Sequence, residues 1–351
     1  MPIPRELREL HQALGARFDG ERLLDYGSLD AEDRALRETC GLFDRSDRGK
    51  LRLTGSERVA FLHGQVSNDV KSLEPGRGQY TALLTPKGQM VADGRILLRQ
   101  DDALLDTEPG REATVFGLLE RHLISEDVEL TDVTGGFALL SLVGPASPEV
   151  VTLTLGGTHP HLDEHRHCDR HGVLVVGTRL GALEGLDLLV PIDRAACVLQ
   201  SLLERGKPLG LAPVGFAAME IARVEAGVPR FGADMGEETL PLEANLTERA
   251  LSFTKGCYVG QEVIARASYR GGVRRKLSGF RLDAGPLPAG PATLFKSVGD
   301  AKSAGELTTA VISPRFGAIA LGYARREHQA PGTELVAPDG RRAVVCALPF
   351  A

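Results

Sequence analysis

Eight consecutive residues, Lys255-Gly256-Cys257-Tyr258-Val259-Gly260-Gln261-Glu262, gather a cation, a thiol, an aromatic ring, an amide and a carboxylate around two glycines. A thiol next to a lysine is biased toward thiolate, the nucleophilic and oxidisable form. Gly256 and Gly260 let the backbone bend sharply or approach a ligand closely. Cys257 can therefore serve as a nucleophile or as a redox-sensitive thiol. The competing reading is a glycine turn around a small buried cysteine. Gln261 and Glu262 read as helix-entry residues, since acids favour a first helical turn.

Two further candidates are acids inside apolar strands, where a carboxylate costs free energy unless paired or used. Asp93 lies in Met90-Val91-Ala92-Asp93-Gly94-Arg95-Ile96-Leu97-Leu98, and Gly94 beside it permits close approach of a ligand. Pairing with Arg95 or Arg99, or a solvent-facing position, is the alternative. Asp187 lies in Gly185-Leu186-Asp187-Leu188-Leu189, again an acid in an apolar strand. The cluster Arg266, Arg270, Arg274, Arg275 and Lys276 reads either as a solvated surface or as a landing site for an anionic ligand tail.

Composition narrows the classes. A net charge of −6 argues against nucleic acid as partner. The five cysteines Cys40, Cys168, Cys197, Cys257 and Cys346 are scattered and contain no C-x-x-C pair, which argues against a disulfide framework and against a self-contained metal site. No stretch approaches a membrane span. The opening Met1-Pro2-Ile3-Pro4-Arg5-Glu6 lacks the basic end and apolar core of a secretory leader, so a cytoplasmic location is expected.

These residues must be held by a mixed α+β framework. The spacing predicts helices over 30–40 (capped by Asp30 and closed by Gly41), 56–64, 111–122, 193–204 (capped by Asp193) and 216–226. Strands are predicted over 50–54, 80–84, 89–99, 103–107, 137–143, 173–178 and 186–190, with Thr85-Pro86-Lys87-Gly88 as the turn of a hairpin. Beyond Gly271 the chain shows only short strand-like runs, at 277–282, 305–312, 318–323, 334–337 and 342–347. Pro/Gly turns separate these runs, the pattern of a small β-barrel. Domains over 1–271, itself in two lobes, and over 272–351 are therefore expected.

The Cys257 stretch, together with Arg223-Val224-Glu225-Ala226-Gly227-Val228-Pro229-Arg230-Phe231-Gly232 and Glu237-Glu238-Thr239-Leu240-Pro241-Leu242-Glu243-Ala244, resembles the YgfZ family of folate-binding proteins, relatives of the glycine-cleavage T-protein (aminomethyltransferase). Gly41-Leu42-Phe43-Asp44-Arg45-Ser46, Asn68-Asp69-Val70, Pro75-Gly76-Arg77-Gly78-Gln79-Tyr80 and Thr85-Pro86-Lys87-Gly88 extend the likeness to most of the chain. The resemblance implies a T-protein-like body and a C-terminal barrel in a ring-like arrangement, with tetrahydrofolate or a one-carbon derivative as cofactor. It places Asp93 at the folate's reactive nitrogen as a proton-accepting group and Asp187 where T-proteins hold the pterin. Tyr80, Arg223, Lys255 and Tyr258 complete the expected folate-contacting set, and Asp93 and Cys257 the expected chemical set. Met219 stands where T-proteins carry an arginine for the folate tail, leaving Arg223 or the basic cluster to replace it. The function implied is support of iron–sulfur enzyme assembly or repair, with client or assembly proteins as partners. The alternatives are a folate-dependent aminomethyl or methyl transferase and a non-enzymatic, folate-gated interaction protein. The two glycines are expected to make a bend that projects Cys257 and Tyr258 instead of burying both, giving a solvent-reachable thiol close to the folate cavity with Lys255 near enough to lower its pKa.

Overall fold

The computed structural model describes residues 2–158, 162–269 and 272–351. The chain divides into two compact units, Met1–Thr81 with Asp93–Met219, and Ala82–Ala92 with Glu220–Ala351. The expected boundary residue Gly271 lies outside the described residues. The compact units follow a different line from that boundary, because residues 220–269 and the hairpin tip 82–92 group with the barrel.

The first unit is built on two sheets. In the six-stranded sheet the order is His167–Arg170, Val173–Leu180, Leu183–Pro191, Phe137–Val143, Cys40–Asp44 and Leu211–Pro213. All neighbours are antiparallel except the last pair, which is parallel. The five-stranded sheet runs Arg77–Leu84, Met90–Leu98, Ala103–Thr107, Gly49–Thr54 and Glu129–Asp132. Side chains alternate across each strand, and this sorts two apolar layers. On one face of the six-stranded sheet Leu140, Leu142, Leu186, Leu188 and Val190 pack against the helices Arg5–Ala13, Ser147–Leu155 and Ala195–Gly206, through Leu7, Val150, Val151, Val198 and Leu202. On the other face Leu139, Leu174, Val176 and Leu189 meet Leu97 and Leu104 of the five-stranded sheet. The strand residues 93, 95 and 97 share the parity of Leu97, so Asp93 and Arg95 enter this same inter-sheet layer.

Several predicted helix ends move. The helix Leu29–Glu38 is capped by Ser28, whose hydroxyl accepts from the Ala31 N–H; Asp30 sits inside its first turn. Gly41 does not close that helix. It lies in the strand Cys40–Asp44, where a Cβ would come within 2.6 Å of the Leu36 side chain. The 3₁₀ turn Ile192–Arg194 occupies the predicted start at Asp193, and the α-helix begins at Ala195.

In the second unit a closed barrel is formed by Arg275–Leu282, Gly317–Arg325, Ser303–Ser313, Ala292–Phe295, Glu334–Val336 and Arg342–Cys346, in that order around the ring. Closure pairs every strand edge. Phe280, Leu294, Leu307, Ala320, Leu335 and Val345 fill the interior. A second cluster joins Leu277, Val311, Ile319 and Phe350 to Ile221 and Val224 of the helix Phe216–Glu225.

Candidate active site

Asp93 reaches its position through the strand Met90–Leu98 and is 5% exposed. The neighbouring strand Arg77–Leu84 supplies Tyr80, whose hydroxyl donates to Asp93 Oδ2 in a short bond. Asn68 braces that strand, donating from Nδ2 to the Tyr80 carbonyl at 2.9 Å and from its backbone N–H to Thr81 Oγ1 at 3.2 Å. The Asn68-Asp69-Val70 block thus positions Tyr80. Asp93 Oδ1 is buried and has no hydrogen-bond partner among the described residues. Burial pushes the Asp93 carboxyl up from its ordinary 3.8, the Glu108 charge adds to this, and the Tyr80 hydroxyl and Arg48 oppose it; the net value is about 6. A buried carboxyl fixed at one oxygen, unpartnered at the other among the described residues and raised to about 6 is suited to holding or releasing a proton.

The expected pairing of Asp93 with Arg95 or Arg99 does not form. Arg99 donates from Nε to Asp102 at 2.6 Å. Arg95 donates from Nε to Asp106 Oδ2 at 2.6 Å, and its Nη1 lies 2.6 Å from Asp187 Oδ2. Arg48 binds the other oxygen of Asp106 at 2.6 Å and also pairs with Glu108. A chain of charge therefore runs from partly buried Glu108 through buried Arg48, Asp106, Arg95 and Asp187 in the inter-sheet layer. Burial raises the Asp187 pKa, but Arg95 and Arg45 more than offset it and hold the carboxyl below its ordinary range. This places Asp187 differently from the expected open heterocycle clamp. It is fully buried, and one oxygen already carries a guanidinium. Lys50, also fully buried, donates to the Ser46 and Arg48 carbonyls at 3.1 and 2.8 Å. Burial, opposed by Asp106, lowers its pKa to about 8.

Sequence reading missed Arg48, Lys50, Asp106 and the role of Arg95. One signal was present: Arg95 is two residues from Asp93 in an apolar strand, hence on the same face. Its partners come from other strands and no spacing announces them. The Phe43-Asp44-Arg45-Ser46 block is structural in part. Asp44 bonds His11 Nε2 at 2.9 Å, tying down the N-terminal helix, and Ser46 Oγ accepts from the Leu139 N–H.

The remaining expected residues lie in the second unit. Cys257 is exposed, as the projecting bend implies, but Tyr258 is not; it is 7% exposed and its ring carries the Lys255 ammonium 4.9 Å from the centroid. Lys255 is thus directed at the ring, a cation–π contact. Gly260 has φ +84°, and a Cβ there would meet the Thr85 carbonyl at 2.6 Å and Gly88 Cα at 3.0 Å. The Thr85–Gly88 turn and the Cys257 loop are therefore packed backbone to backbone. Arg223 is unsuited to a ligand tail. Its guanidinium is buried and binds Asp234 and Glu220 in short ion pairs, and Thr309 Oγ1 at 3.0 Å. In the basic cluster Arg266 pairs with Glu262 one helical turn away, and Arg275 pairs with Glu243 and stacks over Tyr323. Arg270 lies outside the described residues. Glu262 is in the first turn of the helix Gln261–Tyr269.

Comparison with known proteins places this framework. The GCVT N-terminal domain family matches residues 9–255, and the glycine cleavage T-protein C-terminal barrel domain matches residues 275–351. Cys257 falls between the two matches. Among curated relatives, the aminomethyltransferase of Streptomyces coelicolor is 30% identical over 97% of this chain and 95% of its own length. That of Rubrobacter xylanophilus is 30% identical over 98% and 93%. The crystal structure of glycine cleavage system aminomethyltransferase T from Bartonella henselae superposes with a TM-score of 0.89 at 24% identity, covering 99% of this chain and 97% of that one; it shares the fold. The chain belongs to the glycine cleavage T-protein family.

Proposed function

We propose that this protein binds tetrahydrofolate, or a one-carbon derivative of it, and transfers a one-carbon unit as a folate-dependent aminomethyltransferase, with Asp93 as the proton-handling group. The observation that carries this is the Asp93 carboxyl itself: buried, oriented by Tyr80, raised to about 6, and unpartnered at Oδ1 among the described residues. The name shared by the relatives supports the reaction class. Tetrahydrofolate, when bound, supplies the ring nitrogen that carries the one-carbon unit. Asp93 Oδ1 offers the acceptor such an N–H requires, and Tyr80 keeps the carboxylate from rotating. At neutral pH the group is largely ionised yet close enough to its pKa to return a proton. Exclusion of water around this 5%-exposed side chain strengthens its interaction with a developing positive charge.

The test is calorimetric titration of wild type and Asp93→Asn with tetrahydrofolate, followed by an assay for one-carbon turnover. The reading expects binding by wild type, and at least a ~100-fold loss of turnover in the variant, the range for a general acid–base group. Turnover unchanged in Asp93→Asn would overturn it.

One observation favours a second reading, the YgfZ-like accessory role in iron–sulfur enzyme assembly. Cys257 is exposed within a loop that lies between the two family matches. Here folate binding persists and the thiol acts on client or assembly proteins. Loss of client iron–sulfur activity in cells carrying Cys257→Ser, with one-carbon turnover absent from wild type, would select this reading over the transferase.

A further inference from the structure

Asp93 faces a second carboxylate across the sheet. Between the strands Met90–Leu98 and Ala103–Thr107, Gly94 pairs with Thr107 and Arg95 with Asp106. One further step along this ladder sets Glu108 opposite Asp93. On the other side of the same strand, Gly49 pairs with Thr107 and Lys50 with Asp106, so the same step sets Arg48 opposite Glu108. Opposite residues share a face and hold their Cβ atoms about 4.5–5.5 Å apart. Arg48, Glu108 and Asp93 thus form one row, and Tyr80 closes it from the next strand.

The adjacent row is Lys50, Asp106 and Arg95, and its signs alternate. In the Asp93 row two acids stand side by side, an arrangement that ladders disfavour. The other charges nearby are engaged. Arg95, Asp106 and Asp187 bind one another, Arg45 lies 3.8 Å from Asp187, and Lys50 is turned to two backbone carbonyls. Arg48 pairs with both Glu108 and Asp106, and Asp47 feels the Arg48, Arg45 and Glu108 charges. Burial does not account for Asp93 by itself. Asp106 and Asp187 lie buried in the same layer, yet both carboxyls are held below their ordinary range. Their close neighbours are guanidiniums, whereas Asp93 stands between a phenol and a carboxylate. We infer that Glu108 is a positioning residue for the Asp93 proton: fixed opposite Asp93 by Arg48, its charge disfavours the ionised form and so sets the pH at which Asp93 exchanges its proton. The inference deepens the transferase reading above and rests on its assignment of Asp93.

The experiment follows Asp93 by carboxyl ¹³C NMR in ligand-free, full-length wild type, Glu108→Gln and Glu108→Ala. The pH profile of tetrahydrofolate-dependent one-carbon turnover is measured on the same proteins. A charge at this separation moves a carboxyl by about one unit or more. Glu108→Gln is therefore expected to lower the Asp93 midpoint by about one unit and to carry the acid limb of the turnover profile down with it. Arg48, released from Glu108, acts in the same direction. Glu108→Ala removes the same charge and serves if the Gln variant does not fold. An Asp93 midpoint that fails to fall in a folded variant overturns the inference. So does turnover that drops equally at every pH with its acid limb unmoved, the signature of a merely structural residue. A midpoint that falls in a protein whose wild type shows no one-carbon turnover upholds the role of Glu108 and overturns the transferase reading instead.

Discussion

Neutralising Asp93 should stabilise the protein while disabling it, and the size of the effect follows from its surroundings. The carboxyl sits at about 6 in the fold against an ordinary 3.8. Because the folded value is raised, this group contributes no penalty below pH 3.8. Its ionisation opposes folding increasingly as the pH rises, and the full penalty is present above pH 6. A shift of about two units at 1.36 kcal/mol each is roughly 3 kcal/mol. Asp93→Asn removes that penalty. It also brings an amide whose NH₂ has no assured acceptor among the described residues, a cost of about 1–2 kcal/mol. The net expectation is a gain of about 1–2 kcal/mol at pH 7.5, or about 1–3 °C in Tm for a chain of this size. At pH 4 the gain vanishes or reverses, because wild type is then protonated in the fold. Thermal melts of both proteins between pH 4 and 8 measure this, and carboxyl ¹³C NMR of the wild type locates the titration directly. A variant less stable than wild type at pH 7.5, or a difference that does not change with pH, would refute the reasoning.

Arg223→Met leaves Asp234 buried without its guanidinium, while Glu220 keeps Arg230 at 3.1 Å; denaturant unfolding should show a loss of about 3–5 kcal/mol, with tetrahydrofolate affinity of the folded protein unchanged. Gly260→Ala meets the Thr85 carbonyl at a positive φ and should cost at least about 2 kcal/mol. Gly256→Ala, with nothing within 4 Å of the added carbon, should stay within about 0.5 kcal/mol by the same measurement. Iodoacetamide labelling read by peptide mass spectrometry should modify exposed Cys257 in the native protein. Cys40, buried and pushed up to about 11, should label at least ~100-fold more slowly than an ordinary thiol until the chain unfolds.

Legibility in the sequence tracks how local the determining contacts are. Phe137–Val143 and Ala103–Thr107 fall where alternation and apolar runs put them, and the barrel follows from short runs between Pro/Gly turns. The helix Ser147–Leu155 is not among the predicted elements, because its Val and Thr residues favour strands. Val150 and Val151 are drawn into the core by the six-stranded sheet, and packing overrides propensity. At the candidate site Asp93 is legible as an acid in an apolar strand. The engagement of Asp187 by Arg95 is not, since it joins residues 92 positions apart on different sheets. Tyr258 illustrates the same limit. Two glycines announce a bend, but which neighbour turns inward depends on what the bend packs against, here the Thr85–Gly88 turn.

That turn has a consequence for synthesis. Met90 donates its N–H to the Thr239 carbonyl, and Gly88 packs on Val263. At roughly 5–20 residues per second, about 7–30 s separate the appearance of Met90 from that of Thr239. The strands flanking the hairpin can enter their sheet early, whereas its tip must wait for a stretch of chain not yet translated. During that interval the nascent protein carries an unfinished edge. A pause, truncation or slow codon tract between residues 92 and 239 prolongs it, and chaperone demand should rise in proportion to that delay.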